Sequence, residues 1–336
     1  MGGVDASTPR GDRGERGCST IDAAAGQGAS GSFDAGRMPR PLPLPDGFDV
    51  FPFAVADALA AGASRRRMRA TDLHAPYRGV RTVVGMPESF ERRCAEYAVI
   101  MSPTHAFSHA TAARLHGMPL PLRLQQDARL HVTARGGRRA PRASGIAGHK
   151  TSVNVAIRRV HGLIAFSPAD TWCSLASQSS VDELIVAGDR LLGLPYPIAT
   201  TSEIDAAIAR YGARTGADRL HRARLELRAE VYSARETTTR LVLVRAGLPE
   251  PEPNGVIVLR RGRRTRGDLV FRQWKVLVEY EGEHHLTDVK QWHTDVDRLN
   301  DLIEDGWRVI RVTKATTAAE IVERTRLALI ERGWSG

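Results

Sequence analysis

The chain is short of three things: cysteine, acidic side chains relative to basic ones, and any apolar run long enough to cross a bilayer. Its three cysteines, Cys18, Cys94 and Cys173, stand far apart in 336 residues and match no paired metal-ligand spacing. A scattered, odd set excludes a disulfide framework and fits a reducing compartment. The first residues carry no signal-peptide core, so a cytoplasmic protein without a membrane partner is expected. The shortage of acid, 38 Asp and Glu against 48 Lys and Arg, leaves a formal charge of +10. Such a balance suits a polyanionic partner, nucleic acid first and anionic membrane second. Abundant Ala, Arg and Gly, as a GC-rich genome produces, would also raise the pI unaided.

What is present reads as an α/β (α+β) chain of several parts. Residues 1–37 are rich in Gly, Ala, Ser and Asp without apolar periodicity, and are expected to be a disordered tail. Met38 is an alternative start. Residues 38–94 hold a small helical unit in which Ala56, Leu59 and Ala60 share a face and Gly62 ends the helix. Ser64 is placed to cap a second helix bearing Arg65, Arg66, Arg67 and Arg69, with Met68 inward. A turn into a strand follows at Tyr77–Arg81, which together suggests a reduced winged helix. A basic solvated helix would explain the same arginines.

Residues 95–230 read as a mixed α/β region. SHATAARLHGM (Ser108–Met118) is a helix, RLHVTARGG a strand, GLIAFSPADTWCSLAS a strand feeding a capped helix, and VDELIVAGDRLLG an amphipathic helix. RGGRRAPRASGIAGHK is expected to be a basic loop. His105, His109 and His116 have no acid or thiol beside them in sequence, so they are expected to pack or cap rather than bind metal. Residues 231–336 read helix, three strands, helix, strand, helix, a compact α/β layer.

Within that last part, GDLVF and VLVEYEGEHH form a hairpin that concentrates acid and imidazole. Glu279 and Glu281 share a strand face, and Asp268 joins from the neighbouring strand. Converging carboxylates repel unless a cation lies between them, and oxygen ligands of this kind suit Mg²⁺ or Mn²⁺. Arg260, Arg261, Arg263, Arg264 and Arg266 fill the preceding turn, where they either meet a DNA backbone or solvate a hairpin tip. Asp295 and Arg298 share one helical face, so they pair with each other or brace the active strand.

These residues carry a resemblance. Glu236 in ARE, AGLPEP, GDLVF, VEYEGEHH, DVDRLNDL and GWRVIRVT, in that order, resemble the PD-(D/E)xK restriction-endonuclease-like fold. The branch is the one near very-short-patch-repair endonucleases and an actinobacterial family of unknown function. The resemblance implies a Mg²⁺-dependent (or Mn²⁺-dependent) endonuclease site with Asp268, Glu279 and Glu236 as metal ligands. Catalytic roles would fall on Asp268, Glu279, Glu281, His284 and His285, with Glu281 standing where the namesake lysine is expected. Lys290 would be a migrated lysine. SHATAARLHGM and AFSPADTWCSLA resemble elements of the antitoxin of type IV abortive-infection toxin–antitoxin systems, which implies a winged-helix DNA reader and a toxin partner. DNA contacts would come from Arg65, Arg66, Arg67, Arg261, Arg263, Arg264, Arg266 and Arg298. The alternative is a non-catalytic antitoxin-like regulator that keeps the nuclease fold for binding.

Overall fold

The computed structural model describes residues 41–260, 262–281 and 289–336, with side chains from 295 onward in the last stretch. The expected tail at 1–37, the alternative start at Met38, and Arg261, His284 and His285 lie outside the described residues, as does the Lys290 side chain. Contacts divide the chain into Met1–Leu42 and Pro43–Gly336. The described elements all fall in the second unit, which is α/β.

It begins with a small antiparallel sheet. Strand β1 (Phe53–Ala54) leads into helix α1 (Val55–Ala60), followed by β2 (Leu73–His74) and β3 (Val80–Val83), in the order β1-β3-β2. The expected second helix is a single 3-10 turn, Arg67–Arg69. Ser64 Oγ does accept from Arg67 N at 3.1 Å, and Met68 is buried. The segment stops there because Ala70 turns extended and the Arg67 guanidinium folds onto Asp72 at 2.8 and 2.7 Å. One such turn is too short to lie in a DNA groove. Helix α2 (Phe90–Ala98) follows, capped by Ser89 and running across residue 94.

The central sheet, order β6-β5-β4-β8-β7, contains β4 (His105–Phe107), β5 (Leu130–Ala134), β6 (Ile146–Lys150), β7 (Ile157–Val160) and β8 (Leu163–Phe166). Between β4 and β5 lie α3 (His109–Leu115) and the single turn α4 (Leu122–Gln125). The end of the expected basic loop is therefore a strand, β6, paired in parallel with β5. Gly148 lies against the Pro141 carbonyl, where an added Cβ would meet the oxygen at 2.0 Å, so the position requires glycine. Helices α5 (Pro168–Ser174), α6 (Val181–Leu192), α7 (Thr201–Tyr211) and α8 (Ala217–Leu225) pack around Trp172, which is fully buried and donates Nε1 to Leu184 O at 2.7 Å. Ser180 and Glu183 close a capping box at the start of α6.

The C-terminal layer is α9 (Ala234–Arg245), β9 (Glu252–Val258), β10 (Arg264–Phe271), β11 (Val276–Tyr280), α10 (Val289–Glu304), β12 (Arg308–Val312) and α11 (Ala318–Glu331). Its sheet order is β12-β11-β10-β9, with β11 and β12 parallel. Strand alternation divides it cleanly. Leu269, Phe271, Val276, Val278 and Ile310 pack toward Leu243 of α9 and Leu329 of α11. Val270, Leu277 and Ile257 pack toward Leu302 of α10 and toward Trp307. Helix α9 is fastened to α6 by a fully buried ion pair, Arg240 to Asp189 at 3.1 Å. Thr237 Oγ1 and the Arg228 backbone N–H also donate to Asp189. Among the described residues no helix is long and apolar enough to cross a membrane.

Candidate functional site

The β10–β11 hairpin turns through Arg272–Trp274 and a left-handed Lys275 (φ 49°), and its register pairs Leu269 with Val278. Continued one step, that register sets Asp268 opposite Glu279. Both then share the sheet face covered by α10, because they follow Val270 and Leu277 in the strand alternation. The Tyr280 backbone N–H donates to Asp268 Oδ2 at 2.8 Å, which ties the carboxylate to the neighbouring strand.

Burial, together with the charges of Glu236 and Glu279, raises the Asp268 carboxyl to about 6, against the opposing pull of the Tyr280 N–H and Arg298. A carboxylic acid in this state lies where positive charge is wanting. Arg298, on α10, supplies some: its guanidinium forks onto both oxygens of Glu279, with Nη1 at 3.0 Å from Oε2. It also donates Nε to Thr265 Oγ1 at 2.7 Å and Nη2 to the Arg266 carbonyl. Burial works against that cation, yet Glu279 holds its pKa above the ordinary value. Arg298 thus braces the strand and is not an open DNA contact.

The other acids are placed differently from the expected ligand set. Glu236 is buried at the first turn of α9, and its oxygens accept from the Tyr232 N–H at 3.1 Å, Ser233 Oγ at 2.9 Å and Asn254 Nδ2 at 2.6 Å. Three of its roughly four acceptor positions hold the helix start, and its charge helps to raise the Asp268 carboxyl. Glu281 leaves the strand with its backbone N–H on Val312 O at 2.8 Å and its carboxylate paired with Arg311. Of the expected DNA contacts, Arg65, Arg66, Arg264 and Arg266 are exposed. Arg67 is buried on Asp72, and Arg263 is paired with Asp301 at 2.6 Å.

A second cluster was hidden from the sequence reading. His109, His131 and His149 bring ring nitrogens within 4.8 Å of one another, whereas His116 turns its Nε2 to the Phe166 carbonyl at 2.8 Å and His105 lies apart on β4. His131 and His149 come together because β5 and β6 are parallel, with Thr133 opposite His149. Burial lowers the pKa of all three rings, that of His149 to about 4, so they are neutral at physiological pH. The period-two alternation of RLHVT was the available signal for His131 facing inward. Among the described cysteines, Cys94 and Cys173 are buried and free, and burial pushes the Cys94 thiol up to about 12, which makes it inert.

No family model matches the chain. It is similar to two uncharacterized proteins of Mycobacterium tuberculosis, MT2308 of strain CDC 1551 and Rv2248 of strain H37Rv. Each is 28% identical over 202 residues, covering 60% of this chain and 72% of the relative. A crystal structure of the RV2827C protein from Mycobacterium tuberculosis aligns with a TM-score of 0.38 at 15% identity, over 54% of this chain and 78% of that one.

Proposed function

We propose that the protein binds DNA and that its C-terminal layer is a Mg²⁺-dependent endonuclease-like site hydrolysing phosphodiester bonds. The observation that carries this reading is the pair Asp268 and Glu279, side by side on one sheet face, with Asp268 held protonated to about pH 6 by burial and neighbouring acid. Two adjacent carboxyl groups, of which Glu279 alone is paired with a cation, offer oxygen donors that fit a hard divalent cation. Such an ion, when bound, would lower the pKa of a coordinated water and offset charge on the phosphate.

The chain's own residues do the positioning. Asp268 is oriented by the Tyr280 N–H, and Glu279 by the Arg298 fork. The namesake lysine is replaced by Glu281, which faces Arg311, so a guanidinium stands near the place of the missing ammonium. Exposed Arg264 and Arg266, on the strand that carries Asp268, meet the DNA backbone.

One observation favours a second reading. Arg298 already neutralises Glu279, as expected of a site retained for binding in an antitoxin-like regulator, for which a toxin would be the further partner. Both readings are separated by incubating the protein with plasmid, nicked and mismatched DNA in Mg²⁺ or Mn²⁺, beside Asp268→Asn. Cleavage by wild type that the variant loses is the expected result. Binding by both with no cleavage by either would leave the regulator.

A further inference from the structure

We propose that His109, His131 and His149 form a binding site for one transition-metal ion of the Zn²⁺ class, with its fourth coordination position open. The site is separate from the carboxylate pair and differs in chemistry. Imidazole nitrogens select Zn²⁺ and its neighbours, whereas carboxylates select Mg²⁺ and Mn²⁺.

Each histidine is delivered by a different element, and His109 and His131 are oriented by partners outside the cluster. His131, on β5, turns Nδ1 toward His149 Nε2 at 3.0 Å and Nε2 toward Asp127 Oδ2 at 3.1 Å. A carboxylate behind a ligating imidazole fixes its tautomer and raises its basicity, the usual outer support of a histidine–metal bond. Asp127 is itself held by the Arg129 guanidinium at 2.9 Å. His131 is also pinned through its backbone, whose N–H donates to Thr111 Oγ1 at 2.7 Å.

His109 enters at the start of α3 with its Nδ1 on Ser108 Oγ at 2.9 Å, which orients the ring and leaves Nε2 for a metal. Its backbone is left-handed, φ 49°, a conformation that a non-glycine residue holds only when its surroundings impose it. Here the N–H is anchored on Ser174 Oγ at 3.1 Å, and Ser108 is fixed by Thr133 Oγ1 at 2.7 Å. Thr133 shares the strand face of His131. His149, half-buried on the edge strand β6, stacks on His109 with ring centroids 3.9 Å apart.

The fit to a metal is geometric. Tetrahedral coordination at Zn–N of about 2.0–2.1 Å places ligand nitrogens roughly 3.3 Å apart. The His131–His149 pair stands at 3.0 Å and the whole set within 4.8 Å; the rings lie within 34° of parallel, so binding turns their lone pairs onto one centre. Three protein ligands with an exposed flank leave room for water or an anion, unlike the closed four-ligand arrangement of structural zinc.

The test uses the full-length chain, stripped with chelator and titrated with Co²⁺ and then Zn²⁺ while visible absorption is followed. One equivalent of Co²⁺ is expected to give the strong bands of a four-coordinate ion, which Zn²⁺ then abolishes. His149→Gln should lose them, and His116→Gln and the His284→Gln, His285→Gln double variant should keep them. Because His149 lies on an edge strand, its replacement leaves the core in place, and circular dichroism checks the fold. Asp127→Asn gives an independent readout, with Co²⁺ affinity expected to fall roughly 10- to 100-fold. Absence of a one-equivalent step, weak six-coordinate bands, bands that survive in His149→Gln, or unchanged affinity in Asp127→Asn overturns the proposal.

Discussion

Asp268 is a residue whose charge the fold resists. Its carboxyl ordinarily titrates at 3.8 and here at about 6, chiefly because it is buried. Below the lower value both folded and unfolded chains hold the proton, and the group is neutral to stability. Between the two values the folded state keeps a proton that the unfolded chain has lost, so stability falls as pH rises through that window and stays lowered above it. The interval corresponds to at most about 3 kcal/mol. In EDTA, Asp268→Asn is therefore expected to match wild type near pH 4 and to exceed it by up to about 3 kcal/mol above pH 6 in urea unfolding. Asn retains an acceptor for the Tyr280 N–H, so the substitution isolates the charge. An identical pH profile in both proteins would remove the idea of a charge-starved site. The acid pair was legible in GDLVF and VEYEG, because alternation alone brings Asp268 to Glu279. What the strand pattern could not foretell is the Arg298 fork onto Glu279, which depends on how α10 packs on the sheet.

Elements made of strong local signals follow the sequence closely, and those that depend on distant partners do not. The C-terminal layer keeps the expected order of helix, three strands, helix, strand and helix, with Ser233 and Thr317 capping α9 and α11. The arginine-rich stretch after Ser64 had a cap but only one apolar residue facing the core, so the Arg67–Asp72 pair ended it after a 3-10 turn. Strand β6 was hidden in a basic run because its pairing with β5 is parallel and nonlocal. His131 and His149, 18 residues apart, meet only through that pairing. Placement of α9, and with it Glu236, rests on the Asp189–Arg240 pair, each side chain 1% exposed. Removing Asp189 leaves the buried Arg240 with only the half-exposed Glu250 as counter-charge, so Asp189→Ala should cost about 3 kcal/mol. Replacing both, as Asp189→Leu with Arg240→Met, should recover most of that loss. Thermal and urea unfolding of wild type, Asp189→Leu, Arg240→Met and the double variant checks the cycle; additive losses would mean that the pair does not couple α6 to α9.

At the scale of the whole molecule, the count of 48 Lys and Arg overstates the cations that are free to meet DNA. Many arginines are spent internally: Arg67 on Asp72, Arg263 on Asp301, Arg298 on Glu279 and Arg240 on Asp189. Pairing leaves the formal +10 unchanged; of the expected contacts, Arg65, Arg66, Arg264 and Arg266 are exposed, and Arg263 is exposed but paired with Asp301. Each phosphate neutralised on duplex DNA contributes about −0.9 to the slope of log affinity against log salt. If Arg264 and Arg266 both touch phosphate, changing them to Ala should reduce the slope by about 2 and weaken binding alike across sequences. The paired residue Arg263 serves as the internal control, because its replacement breaks an ion pair with Asp301 and should leave the slope nearly unchanged. Fluorescence anisotropy with a labelled duplex across a salt series measures all three. A slope indifferent to Arg264 and Arg266 would move the DNA surface away from the hairpin that carries Asp268, and binding insensitive to salt would dismiss a phosphate-led interface altogether.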